Sequence, residues 1–184
     1  MWNIKEALPQ VYEDFKVKNK QTRLMCISGI FTALVFVVTA YLHIPTANGY
    51  IHVGDGLIYL AACLLPLPYA LAVGAGGALL ADCLTGFAIW APGSVIIKAA
   101  TVFLFSCKKK SVINLRNLTA LVPAALLCAG GYYLYESLIY QNFISPIAGI
   151  PASLTQSVAS SVLFILVGIT ADKTHLKSRI FGEN

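Results

Sequence analysis

Four charged side chains stand in stretches that are otherwise apolar: Asp55, Asp82, Lys98 and Glu136. A charge in a lipid-embedded segment is costly, so such residues are functional candidates by default. Polar partners recur around them at helical spacing. Ser94 lies one turn before Lys98, while Tyr132, Glu136 and Tyr140 follow one another at four-residue steps and share a face. Ser153, Gln156, Ser157 and Ser160 form a further polar stripe. Trp90 and Tyr50 lie on connecting segments, and Asn142 sits in a link that also contains Pro146 and Gly149. Aromatic walls with a few placed polar groups suit a small flat ligand. The candidate binding set is therefore Lys98, Glu136, Trp90, Asp55, Asp82, Ser94, Tyr132, Tyr140, Asn142, Ser153 and Gln156.

Several of these residues also have a plainer reading. Lys98 can pair with Asp82 or Glu136 to hold helices together. Asp55, which follows Gly54, can serve as a helix N-cap. Trp90 can belong to an interfacial belt. Signs of catalysis are absent from the chain: it has no G-x-x-x-x-G-K-[ST] loop, no H-E-x-x-H and no G-x-S-x-G. No catalytic residue, metal ligand or cofactor is expected. Cys26, Cys63, Cys83, Cys107 and Cys128 form no C-x-x-C pair and read as small buried apolar residues. His43 and His52 read as loop hydrogen-bonders, and His175 as part of a basic tail.

The elements that position these residues follow from composition. The chain has 184 residues, 58% of them hydrophobic and 11% charged, and its mean hydropathy is +0.74. Soluble domains carry about 25% charged residues, so the solvent implied here is lipid. At about 20 residues per spanning helix the length allows about six spans and leaves no room for a separate soluble domain. The net charge of +5 comes from blocks at 16–23, 108–116 and 173–179. Such blocks mark cytoplasmic loops rather than a nucleic-acid footprint.

Six spans are expected, at about 22–42, 52–65, 68–85, 93–107, 118–139 and 151–171. Pro66 and Pro68 divide the uncharged run 56–81, since each interrupts a helix. The division also places the block Lys108–Lys110 on the inner side together with the N-terminus. It leaves a short second helix. The outward segments 42–55, 86–93 and 140–150 then carry no Lys or Arg. The expected fold is all-α, a single membrane domain over 1–184 with both termini cytoplasmic. It comprises an interfacial segment at 1–21 with a short helix from near Pro9, a six-helix bundle at 22–171 and a tail at 172–184. No signal-peptide pattern is visible. The run Gly74-Ala75-Gly76-Gly77-Ala78 permits close helix approach, and Gly29 with Ala33 forms a small-xxx-small pair for internal packing or for docking another membrane protein.

The runs His52-Val53-Gly54-Asp55-Gly56-Leu57-Ile58-Tyr59-Leu60, Leu65-Pro66-Leu67-Pro68-Tyr69-Ala70, Ala81-Asp82, Thr85-Gly86 and Trp90-Ala91-Pro92 with Lys98 resemble the membrane-embedded S component of energy-coupling factor (ECF) vitamin transporters. The similarity is densest over 22–107, and the rest matches in topology and length. The resemblance implies a prokaryotic plasma-membrane protein that binds a vitamin-like molecule from outside. Its implied partners are a membrane coupling subunit and two cytoplasmic ATPases. It also implies that the stripe of Gly29 and Ala33 docks the coupling subunit, although Gly29 stands where alanine is more usual, and that residues 43–54 act as a lid. Among S components the similarity is nearest to those for hydroxymethylpyrimidine or pyridoxine-type compounds. A queuosine precursor and a non-transporting membrane scaffold stand as alternatives.

Overall fold

The structure, a computed structural model, describes residues 4–46 and 49–181, with side chains described at 17, 19–45 and 50–181. The chain enters as one continuous helix, α1 (Ile4–Tyr41). The separate short helix expected near Pro9 is therefore absent, because α1 runs through that position. The side chains of residues 4–16 along that part of α1 lie outside those described.

The segment read as an irregular loop instead holds an antiparallel hairpin, β1 (His43–Thr46) and β2 (Gly49–His52), with His43 opposite His52 and Ile44 opposite Ile51. Next come α2 (Asp55–Leu64) and α3 (Leu67–Leu84). Leu65 is extended, with φ −111° and ψ 152°, as the residue before a proline is bound to be. Pro68 then falls in the first turn of α3, where a missing N–H costs nothing. The split at Pro66 and Pro68 is the expected one.

Proline also sits in the first turn of α4 (Ala91–Leu104) and of α7 (Ile150–Lys173). The stretch expected as a fifth span is two pieces, α5 (Leu115–Thr119) and α6 (Leu121–Tyr140). Pro123 explains the break, since it has no N–H to give the carbonyl of Thr119, the last residue of α5. A left-handed Gln141 (φ 48°) ends α6, and a 3-10 turn (Ser145–Gly149) leads into α7. Within the tail, a left-handed His175 (φ 51°) turns the chain into α8 (Leu176–Phe181).

Four helical stretches are long and apolar enough to cross a membrane, at Asn19–Tyr41, Leu67–Leu84, Leu115–Tyr140 and Ser145–Lys173. The chain is a multi-pass membrane protein. The helices Asp55–Leu64 and Ala91–Leu104 are apolar but shorter, about 15 and 21 Å at 1.5 Å per residue. Shortness is tolerable for α2, because all of its residues except Leu57 are buried in protein. Its Tyr59 stacks on Phe105 at 4.7 Å, and Phe105 meets Phe164 edge-on at 5.6 Å. Glycine permits the closest approaches. A Cβ on Gly56 would stand 2.5 Å from the Ser160 carbonyl of α7, and one on Gly77 would stand 2.6 Å from Val35 of α1. The glycine-rich face of α3 thus packs internally against α1.

Candidate functional site

At the end of the bundle that carries the hairpin, a cavity of about 80 Å³ opens between β2, α3, α4, α6 and α7. Seven of the sequence candidates line it: Asp82, Trp90, Ser94, Tyr132, Glu136, Ser153 and Gln156. The helical spacings that singled out Ser94, Tyr132 with Glu136, and Ser153 with Gln156 place these side chains together. Ser94 Oγ lies 2.9 Å from the Tyr132 hydroxyl, which ties α4 to α6. Trp90 Nε1 donates to Glu136 Oε1 at 3.3 Å.

Asp55 and Lys98 do not line this cavity. They form a buried ion pair beneath it, with Lys98 Nζ 2.9 Å from each Asp55 oxygen. Lys98 therefore pairs with neither Asp82 nor Glu136. Nor is Asp55 the cap of α2. Gly54 takes the cap position, and Asp55, as first residue of the helix, turns inward. Lys98 Nζ also lies 5.0 Å from the centroid of the Tyr132 ring and 3.8 Å from Cys128 Sγ. Gln156 Nε2 donates to Asp55 Oδ2 at 3.0 Å, while its Oε1 accepts from the backbone N–H of His52 at 3.4 Å. One amide thus joins the buried pair, the cavity wall and the hairpin.

Tyr140 and Asn142 lie away from the cavity. Tyr140 is 42% exposed. The Asn142 carbonyl oxygen accepts from the N–H groups of Ile144 and Ser145, which starts the 3-10 turn. Tyr140 is the last residue of α6 and Asn142 lies beyond its end, and neither lines the cavity.

The hairpin contributes residues that spacing alone did not nominate. Tyr50 and His52, two apart on β2, face the bundle, and Tyr50 donates from its hydroxyl to Asp82 Oδ1 at 2.7 Å. Its ring lies 4.7 Å from Phe87, which lies 5.6 Å from Trp90. Burial, with the Asp82 charge adding to it, raises the Tyr50 phenol above its usual range, so it stays a donor. His52 Nδ1 accepts from the Gly54 N–H at 3.1 Å. Burial pushes its imidazole down to about 4, outweighing the pull of the Asp55 charge. Cys128 departs from its expected inert role, since its sulfur touches Lys98, Asp55 and Gln156. Cys26 and Cys83 are exposed rather than buried.

Far from this cavity, Lys177 of the basic tail folds inward and donates to the carbonyls of Cys63, Cys107 and Lys109. Arg23 donates to the Arg179 carbonyl at the same end. The described residues contain no cluster of three or more metal-ligating side chains.

The chain is thus a helical membrane bundle with an aromatic, carboxylate-lined cavity under a short hairpin. The family model for the ECF-type riboflavin transporter S component matches residues 19–172. The chain belongs to this family. It is a transporter's substrate-binding subunit and not an enzyme, and it works in vitamin or micronutrient uptake with an ECF module and a small-molecule substrate. No curated protein matches the chain significantly.

Proposed function

We propose that this chain takes up a small planar nitrogen heterocycle, of the hydroxymethylpyrimidine or pyridoxine type, from outside the cell. A membrane coupling subunit and two cytoplasmic ATPases then drive its release inwards. The observation that carries this reading is the cavity. Its volume of about 80 Å³ and its walls of Tyr50, Phe87, Trp90 and Tyr132 suit one ring. Sites for drug-sized ligands run to roughly 300–1,000 Å³. Riboflavin itself is the second reading, favoured by the description of the matched family. It requires the hairpin to lift and the cavity to widen.

In the same reading α2 and α4 join the four long helices to make six spans, with both termini cytoplasmic in a prokaryotic plasma membrane. The distribution of charge supports this orientation. Arg23, Lys108–Lys110 and Lys177 gather at the bundle end opposite the hairpin, as cytoplasmic positive charge does. Gly29 and Ala33 are exposed on α1 and serve as the docking stripe for the coupling subunit.

Calorimetry of the purified protein in detergent tests the substrate. Hydroxymethylpyrimidine or pyridoxine is expected to bind at micromolar concentration or tighter, and riboflavin at least about tenfold more weakly. Tighter binding of riboflavin would move the assignment to the second reading. If neither these compounds nor a queuosine precursor bound, the substrate would be a different vitamin or micronutrient, since the family membership rests on the match over residues 19–172.

A further inference from the structure

On the reading that the cavity under the hairpin is the substrate site, we propose that its ligand presents a hydrogen-bond-donating edge to Asp82 and Glu136. Such an edge is an exocyclic amine beside a ring nitrogen that carries or can take up a proton. Ligands with carbonyl oxygens in those positions are rejected.

The inference begins with an inventory of charge. Two carboxylates, Asp82 and Glu136, line the cavity, and no Lys or Arg lines it among the described residues. The nearest ammonium, Lys98, is committed to Asp55 and lines a smaller adjoining space with Asp82, Ser94 and Tyr132. The wall is therefore acidic and has no cation of its own.

Hydrogen-bond capacity points the same way. Asp82 is 5% exposed, and its Oδ1 accepts the Tyr50 hydroxyl. Its Oδ2 is buried and no hydrogen bond reaches it, although the Ser94 hydroxyl acts on the same carboxyl. A buried acceptor without a donor costs about 1–3 kcal/mol, and more when it is charged. Glu136 is similarly half-used, with Trp90 donating to Oε1. Each carboxylate therefore keeps acceptor capacity that a donor on the ligand can use.

A carboxylate accepts two parallel N–H bonds best from a group that offers both in one plane. An amino-substituted nitrogen heterocycle with its ring nitrogen protonated has that edge. Phe87 and Trp90, packed edge-to-face at 5.6 Å, both line the cavity and add aromatic surface for a flat, electron-poor ring. A dioxo edge such as that of a flavin would instead set carbonyl oxygens against carboxylate oxygens. The carboxylates would then be desolvated without compensation.

The decisive experiment uses two probes of equal size. One is hydroxymethylpyrimidine with its ring amine, the other the oxo analogue in which C=O replaces C–NH₂. Calorimetry on the full chain in detergent is expected to give the amine at least about thirtyfold tighter binding, as expected of a site built around a donor. Asp82→Asn should shrink that ratio to within about threefold by weakening the amine. Glu136→Gln should shrink it partially, and this variant decides the matter if Asp82→Asn does not fold. Equal or tighter binding of the oxo analogue would overturn the proposal, as would a ratio that neither substitution changes. If riboflavin binds and neither pyrimidine does, the cavity stands as the substrate site and the donor-edge inference falls. If no compound binds, both fall.

Discussion

Lys98 is a charge buried inside the bundle, and its ion pair with Asp55 gives it a structural task outside the cavity under the hairpin. At 3% exposure it lies among Asp55, Cys128 and the face of Tyr132. Removing one partner of a buried ion pair leaves an uncompensated charge and costs about 3–5 kcal/mol, whereas replacing both with apolar groups is often neutral. Lys98→Ala and Asp55→Ala should therefore each lower the thermal midpoint of the purified protein strongly. The double variant Lys98→Met with Asp55→Leu should recover most of that loss. If the double variant proves as unstable as the singles, the pair is not a self-contained unit. Ligand affinity in the double variant should fall less than in Glu136→Gln, because Glu136 lines the cavity and Lys98 does not.

Among the elements, the hairpin carries the most consequence for the site. It is held at three points: the Tyr50 hydroxyl on Asp82, the His52 N–H on Gln156, and the ring of Tyr50 on Phe87. His52 sits in this seam as a neutral imidazole, held down to about 4 by burial, with Lys98 and His43 lowering it further and Asp55 opposing them. Because the folded value lies below the ordinary 6.5, the stabilisation His52 provides is complete above about pH 6.5. It is lost progressively as the pH falls through 4. Thermal midpoints measured across that window should decline. In His52→Gln they should start lower at neutral pH and decline less steeply. Parallel curves for the two proteins would exclude His52 as the titrating group.

The helices were legible in sequence because their signals are local: Pro66 and Pro68 mark a boundary whatever surrounds them, and the spacing of Ser153 and Gln156 defines a face. The hairpin was not, since its strands have four residues each, β1 contains Pro45, and β2 is held by Gln156, 104 positions away from His52. The partner of Lys98 was hidden for a related reason. Asp55 reaches it only because α2 lies at the centre of the bundle, between α4 and α7, and helix order in space is not written in any one segment. The role of Cys128 depends on the same arrangement.

At the scale of the whole molecule, two small-residue faces make opposite demands. Gly77 of α3 is pressed against Val35 of α1, where an added Cβ would stand 2.6 Å away. Gly29, on another side of α1, has nothing within 4 Å of the same construction, and Ala33 is exposed one turn on. Small residues on an open helix face let another backbone approach closely in lipid. A docking role for this face then makes a separable prediction. Gly29→Leu or Ala33→Leu should leave the isolated protein folded, with substrate affinity within about twofold of the parent, because neither side chain meets the bundle. Uptake by the assembled transporter should drop at least about tenfold, and co-purification with the coupling subunit should fail. Gly77→Val should behave in reverse, losing thermal stability and binding before coupling can be assessed. Uptake that survives both α1 substitutions would place the coupling surface on another helix and leave the small residues of this face with no function beyond facing lipid.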